Sequence, residues 1–513
     1  MGTGTSRFKV PVALRISLSI VLISLLLRCD HGALSSPDEV LTIAVRADVT
    51  GIFPNSPVQA EAFTLHLNSN VFEGLVRFDK NMNPEGAIAE SWENLDDYTW
   101  SFHLRKGIRF SNGEPVRAED VVSSIQATLK RPFVTAGFLL PIRSVEAVGS
   151  DRVEITTNYP DPLLLSNLAI GFILPKSALA KNPIEAIGTG PYMVERWIPG
   201  SELILVQNRN YWGPAPAFRR VRFLVESDAN KRIKELLDGK VQIADNIPLE
   251  QLSRLQSNRS LYVISRPGTR VVFLTFRMNR PPFSNIKLRH AIELAIDREE
   301  LIRNALHGRA EVASQLVPTQ VAGYNPEIKV PQIDREQAKK LLAEAGYPNG
   351  LSIRLDGTKD RYVNDVQIMN EVARQLGLIG INVTVNAMPK KEFFPFLAAG
   401  KSDFTLVGFS CETLNASLAL DMIMRSPHPD KKINQNYQGL SDPELDRLID
   451  LAWREPSLKT RTEYYAQALK RIADIRAIVP LEVQPETIAM SNKVIWEPPI
   501  TFGLRMYDAS LRE

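Results

Sequence analysis

Gly188-Thr189-Gly190-Pro191-Tyr192, then Pro199-Gly200-Ser201, Asn208-Arg209-Asn210-Tyr211-Trp212-Gly213 and Val241-Gln242-Ile243-Ala244-Asp245 punctuate residues 188–245, and the order of these pieces decides the fold. A Gly-x-Gly invites a phosphate-loop reading. Such a loop opens a helix whose N-terminus holds the anion, whereas a strand follows here. Tyr192, Val194, Arg196 and Ile198 alternate with Met193, Glu195 and Trp197, and the Pro-Gly-Ser break separates them from Leu203-Ile204-Leu205-Val206. That pattern predicts two strands joined by a turn, with the glycines as turn punctuation. Val221, Phe223 and Val225 then recur at period two. Asp228 is placed to cap a helix carrying Ala229, Ile233, Leu236 and Leu237 on one face, Gly239 closes it, and Val241 to Ala244 is the next strand. The result is a strand-helix-strand unit.

Outward from this stretch, 513 residues at 44% hydrophobic and 23% charged describe a soluble globular chain that is long for a single core, so two or three domains are expected. The net charge of +3 comes without a Lys/Arg run interleaved with aromatics, which excludes a nucleic-acid surface. The histidines, His31, His66, His103, His290, His307 and His428, form no pair at ligand spacing. Gly-x-Ser-x-Gly, His-Glu-x-x-His and cysteine clusters are missing. No catalytic residue, metal site or cofactor is therefore predicted.

The first residues differ from everything after them. Arg7, Lys9 and Arg15 precede an apolar run, Ile16 to Leu27, suited to a secretory signal and short for a membrane span. The run ends at Leu26-Leu27-Arg28-Cys29, which reads as a lipoprotein signal with Cys29 as the acylated residue, although Arg28 stands where such signals want a small side chain. An ordinary signal peptide cleaved a few residues later, or an uncleaved anchor, is the other reading. Residues 1–37 are assigned to signal and tether. Cys411 is the one other cysteine, so no disulfide is expected in the mature chain.

Two further blocks carry information. Leu104-Arg105-Lys106-Gly107-Ile108-Arg109-Phe110 runs through Asn112-Gly113-Glu114-Pro115 to Ala118-Glu119-Asp120-Val121, a strand, a turn and a helix with acids in its first turn. His103, Arg105 and Asp120 are read as structural. Phe283 leads to Leu288, Ala291, Ile292, Ala295 and Ile296 on one helix face, with Asp297 as cap of the next helix and Glu300 completing a capping box. Gly171 to Pro175 reads as a short apolar strand, and helices are expected at Pro443 to Trp453 and Tyr464 to Ile478.

The Gly-Thr-Gly-Pro-Tyr turn, the Asn-x-x-Tyr-Trp-Gly loop and these two blocks together resemble the dipeptide/oligopeptide (family 5) solute-binding proteins of bacterial ABC importers, across nearly the whole mature chain. The resemblance implies an α/β, two-lobed periplasmic-binding-protein type II architecture with an extra α+β domain inserted in the first lobe. Lobe I is expected at 38–57, 171–268 and 482–513, the insertion at 58–170 and lobe II at 269–481. Chain crossings near Gly268 and Leu481 would form the hinge.

Strand Leu351 to Leu355, a loop with Asp360, Arg361 and Asn364, a helix and strand Ile381 to Val385 read as a parallel crossover, which places Arg361 at the ligand edge of the sheet. In peptide-binding relatives this loop can supply an arginine to the ligand carboxylate, so the resemblance implies that role for Arg361; a solvated loop arginine is the alternative. The resemblance also implies, after strand Asp403 to Gly408, an aromatic and an Asp-Pro loop whose Asp pairs with a peptide ammonium. Here Phe409 holds the aromatic position, Asn415 stands near the acid's place, and no Asp-Pro occurs. A neutral amide cannot pair with a desolvated ammonium. Glu412 substitutes if it faces the cleft; otherwise the ligand is not an ordinary free peptide. Cys411 reads as a small apolar contact rather than a reactive thiol, and Phe53 and Phe72 complete the ligand-contact candidates.

The expected function is the substrate-binding component of an ABC importer, an extracytoplasmic monomer that hands a peptide-like solute to its permease. A receptor for an opine, a sugar or chelated nickel on the same scaffold is the alternative, and a hydrolase with an unrecognised site is a further one.

Overall fold

Two long antiparallel strands, Leu261–Phe276 and Ile478–Ser491, run side by side through the middle of one sheet and tie the rest of the chain to it. The structure, a computed structural model, describes residues 1–2, 40–52, 62–130, 139, 141–181, 184–427, 435–501 and 503–512. In chain order the strands are β1 (Val40–Val45), β2 (Val76–Phe78), β3 (Pro84–Gly86), β4 (Ala89–Asn94), β5 (Thr99–Leu104), β6 (Ile142–Ala147), β7 (Arg152–Thr157), β8 (Tyr192–Ile198), β9 (Glu202–Gln207) and β10 (Arg220–Val225). They continue with β11 (Ile243–Asp245), β12 (Leu261–Phe276), β13 (Glu311–Val312), β14 (Leu351–Thr358), β15 (Ile381–Met388), β16 (Phe404–Ser410), β17 (Ile478–Ser491), β18 (Val494–Ile495) and β19 (Ser510–Leu511). The main sheet has the order β15-β14-β16-β12-β17-β11-β1-β10-β9-β8, with β13 also paired to β17. A separate sheet, β4-β5-β7-β6, carries the helix Ala118–Leu129.

The stretch 188–245 folds as its pattern predicts. β8 and β9 form the hairpin, β1 lies parallel to both β10 and β11, and the Asp228 carboxylate accepts the Asn230 and Lys231 N–H groups at 2.9 and 3.4 Å. Ile233 and Leu236 are buried, but Leu237 is 40% exposed and lies outside the apolar face assigned to it. β1 is buried on both faces, as a strand with parallel neighbours must be. Leu41, Ile43 and Val45 enter one core with Phe72, Phe172 and Phe223, while Ala44 enters a second core shared with Val272, Leu274 and Phe276 of β12.

The residues after β1 divide between cores. Leu65, Leu67, Val71 and Phe72 pack with β1, whereas Leu75, Phe102, Phe110, Val121, Ile155 and Leu164 form the separate core of the β4–β7 sheet. Gly171 to Pro175 is not a ladder strand. Its apolar side chains are divided between those two cores, Phe172 and Leu174 in one and Ile173 in the other, and its backbone is satisfied by Glu73 and by the Ser124 hydroxyl.

Other differences have equally local causes. Asp297 caps its helix by accepting the Glu300 N–H at 2.8 Å, but the expected capping box is incomplete. The Asp297 N–H is taken by Gln375 at 2.6 Å, and the Glu300 carboxylate turns to Arg374 and Arg335. The last long helix is Leu458–Asp474, entered through Ser457; Ile478 belongs to β17 instead. The crossing expected near Gly268 lies inside β12, whose pairing with β17 is interrupted by an irregularity between Pro267 and Val271. Finally, Arg461 of that last helix forms a fully buried ion pair with Asp161 at 3.0 Å, joining the region after β7 to a helix 300 positions later.

Candidate ligand-binding cleft

The carboxyl ends of β1, β11, β14, β15 and β16 open into one cavity, the edge at which open α/β sheets place their ligands. β1 contributes Arg46, β11 Asp245, the turn after β14 Asp360 and Arg361, the end of β15 Lys390, and the end of β16 Ser410 and Glu412. The floor comes from the central ribbon. Gln484, Glu486 and Ile488 line the cavity at period two along β17, and Arg270 of β12 sits beside Ser410, its partner in the ladder. His66, from the helix Ala62–Asn68, and Thr501 close the side wall.

Some of these charges are engaged by the protein. His66 Nε2 lies 2.8 Å from Glu412 Oε2. Burial alone would raise the Glu412 carboxyl, but attraction and hydrogen bonding from His66, a Ser410 hydrogen bond and the Arg270 charge more than offset it, and the group stays below its ordinary value. Asp245 accepts the Arg46 N–H at 2.8 Å and the Asn246 amide at 3.1 Å, with Arg232 at 3.8 Å; burial raises its carboxyl.

Two others are not. Neither the Arg270 nor the Glu486 side chain makes a hydrogen bond with a described residue, although the two charges attract each other across the floor. The Arg270 guanidinium lies 5.9 Å from the Tyr362 ring centroid, and burial together with the neighbouring Arg361 pushes it down from its ordinary value. Burial raises Glu486 to about 7. Glycines make the room for both. A Cβ at Gly408 would stand 3.2 Å from Arg270 Cδ, and one at Gly268 would stand 2.7 Å from Glu486 Cγ. Beneath them Glu482 is wholly buried, neither carboxylate oxygen has a hydrogen-bond partner among the described residues, and burial raises it to about 8.

These two raised carboxyls fix the sign of a pH dependence. Between roughly pH 4.5 and 8 the folded protein holds protons that the unfolded chain has released, so the ligand-free protein loses stability as pH rises through that window. Thermal unfolding is expected to show a lower Tm at pH 8 than at pH 5, and Glu482→Gln is expected to make that slope shallower. A Tm rising with pH in this range contradicts the assignment.

The cleft brings together Arg361 and Glu412 of the sequence-derived candidates. Phe409 alternates with Ser410 along β16 and faces away, lining an apolar cavity with Phe273, Ile423 and Tyr437. Cys411 is 3% exposed, packs in the core with Val271 and Phe273, and burial pushes its thiol up. Asn415 closes a buried turn: its amide donates to Thr413, and its carbonyl accepts the Ser417 N–H at 3.1 Å. Phe72 is core-packed, 5.9 Å from Phe172, and edges a side chamber beside the cleft. Phe53 and Cys29 lie outside the described residues. Sequence reasoning missed Arg270, Glu486, Asp245 and His66 as cleft residues. A signal for Glu486 was present, because Glu482, Gln484 and Glu486 place polar side chains at period two in an otherwise apolar strand.

Among the described residues no group of three or more His, Cys, Asp or Glu is placed to hold a metal ion, and no helix is long and apolar enough to cross a membrane.

The sequence profile of bacterial extracellular solute-binding proteins, family 5 middle, matches residues 83–430. The chain is 29% identical over 441 residues to heme-binding protein A of Haemophilus influenzae, covering 78% of this chain and 79% of that protein. It is 28% identical over 464 residues to the glutathione-binding protein GsiB of Escherichia coli (strain K12), covering 86% and 89%. The fold matches the ABC transporter-associated periplasmic binding protein DppA from Helicobacter pylori in complex with the peptide STSA, with a TM-score of 0.82 at 23% identity over 92% of this chain and 98% of that one. The architecture is that of the type II periplasmic binding proteins.

Proposed function

The chain belongs to family 5 of the bacterial extracellular solute-binding proteins, and from that premise we propose that it captures a small peptide-like zwitterion between its lobes and delivers it to an ABC permease. The observation that carries this reading is the pair Arg270 and Glu486: a guanidinium and a carboxyl on the floor of the cleft, neither side chain hydrogen-bonded to a described residue, with the raised carboxyl ready to ionise against an incoming ammonium. A guanidinium presents a fork that matches a carboxylate, and a buried carboxylate is the natural partner of an ammonium. Arg361 and Arg46 reinforce the anionic end and Glu412 the cationic end. Glu412 thereby takes the place of the missing Asp-Pro acid, while Asn415 has no part in ligand contact. Relatives that carry heme or glutathione show how widely ligands vary on related chains.

In this reading lobe I (38–57, 171–268, 482–513) and lobe II (269–481) close about the β12–β17 ribbon; of the 58–170 segment expected as the inserted domain, Leu65, Leu67, Val71 and Phe72 pack with β1 and the separate core begins at Leu75. The mature protein acts as a monomer, tethered through acylated Cys29 or released after cleavage of the signal. The test is thermal shift of the purified protein against dipeptides, tripeptides, glutathione, a mannityl opine, a sugar panel and nickel-histidine. Peptides are expected to raise Tm in proportion to the logarithm of their concentration above Kd. A response confined to the opine, the sugars or nickel-histidine would replace the peptide reading by the alternative. Release of amino acids from a bound peptide would instead favour a hydrolase.

A further inference from the structure

The cleft has a side chamber that the paired charges do not explain. It shares His66, Glu412 and Thr501 with the main cavity, so the two adjoin at the His66–Glu412 pair. Its walls come from the chain just after the helix Ala62–Asn68, from residues 169–172 and from the C-terminal segment 499–507. The apolar lining is Phe72, Phe78, Met82, Ile170, Phe172 and Tyr507. The charged groups at its rim are already engaged. Glu73 accepts from Thr189 and Trp212, Arg77 donates to Glu85 and Tyr211, and Arg505 donates to the Phe78 carbonyl and to Asp508. The chamber is therefore chemically unlike the cleft it adjoins: its charges are paired within the protein, Arg505 Nε alone in these groups lacking a hydrogen-bond partner among the described residues, and much of its lining is apolar.

We infer that this chamber is a side-chain pocket, and that the ligand is a zwitterion carrying an aromatic or bulky aliphatic side chain which enters it beside His66 and Glu412. The inference rests on the peptide-receptor reading and narrows its substrate class. Two features decide for a side chain rather than a separate ligand. The chamber shares its boundary residues with the charged cleft, and among its lining groups no unengaged charge stands ready to hold a second solute's polar end. Aromatic or bulky aliphatic side chains are its natural occupants, because Phe72, Phe78, Ile170 and Phe172 line it, while the Tyr507 ring is already held by Arg77 and Arg505.

The probes are Ala-Ala, Ala-Leu, Ala-Phe and Phe-Ala, measured by isothermal titration calorimetry on the whole mature protein. At least one of the Leu- or Phe-containing peptides is expected to bind about ten- to a hundredfold tighter than Ala-Ala, the range that burial of such a side chain brings. Ser69 also lines the chamber, and its hydroxyl donates to the His66 carbonyl. Ser69→Phe is expected to fill the chamber and erase the preference for the Leu- and Phe-containing peptides over Ala-Ala; Ser69→Ala, which removes only the hydroxyl, is expected to keep it. Equal affinity for all four peptides overturns the side-chain pocket and leaves the receptor reading intact. Failure of all four to bind counts against the peptide reading, not against the receptor, and overturns this inference with it.

Discussion

Arg270→Ala is expected to weaken ligand binding about thirtyfold to several-thousandfold without unfolding the protein. The size follows from the geometry of the floor. A ligand carboxylate drawn into this cavity leaves water and meets Arg270 as the cation that no described residue occupies with a hydrogen bond. Truncating one member of a buried, hydrogen-bonded charge pair costs about 2–5 kcal/mol, because the remaining charge stays desolvated. The fold should tolerate the change, since the Arg270 side chain makes a ring contact with Tyr362 and hydrogen-bonds to none of the described residues. Arg270→Lys should recover only part of the affinity, as an ammonium restores the charge without the planar fork. Calorimetric titration with the tightest peptide found, alongside thermal unfolding of the free protein, checks both halves. Unchanged affinity in Arg270→Ala would remove Arg270 from the site.

The second large effect is on stability. Arg461 and Asp161 have no solvent exposure at the side chain, and Arg461 also donates to the carbonyls of Pro160, Trp453 and Glu455. Tyr159 packs edge-on against Trp453 beside them, at 5.8 Å. Arg461→Met leaves Asp161 buried without its counter-charge, and such a break costs about 3–5 kcal/mol. Burial already raises the Asp161 carboxyl, with Arg461 pulling it back, so the variant's deficit should shrink at low pH, where the acid is neutral. Adding Asp161→Leu should recover the charge-dependent share and leave the loss from the orphaned carbonyls. Chemical denaturation of the single and double variants at pH 5 and 8 separates these contributions. Equal stability of Arg461→Met and the parent would show that the pair is not needed to hold the region after β7 against the helix Leu458–Asp474.

Much of this architecture could be read from local pattern. Residues 188–245 combine strict alternation, a Pro-Gly-Ser turn, a capping Asp228 and a closing Gly239, and each signal acts over a few residues, so β8 to β11 and the intervening helix were legible. Where burial came from distant partners, local reading failed. Gly171 to Pro175 looks like a strand because it is apolar, yet it is apolar because two cores divide its side chains between them. Glu300 has the sequence of a capping box, but Arg374 and Arg335 compete for its carboxylate.

The cleft was half legible for the same reason. Arg361 and Glu412 follow strand ends, and strand ends point to the ligand edge whatever the partners are. Arg270 and Glu486 instead sit within the two long strands of the ribbon. Their convergence depends on the β12–β17 pairing across more than two hundred residues, and on Gly268 and Gly408 leaving space. Asn415 misled because its position in sequence is near the expected acid, while its side chain is consumed by its own turn.

The most direct measurement is a crystal structure of the protein with the ligand it retains from its host. The account predicts density in the cavity between β12, β17 and the strand ends, with a carboxylate within hydrogen-bonding distance of Arg270, an ammonium against Glu486 and a bulky side chain in the chamber lined by Phe72 and Phe172. A ligand lying elsewhere, or one without opposed charges facing Arg270 and Glu486, would contradict it.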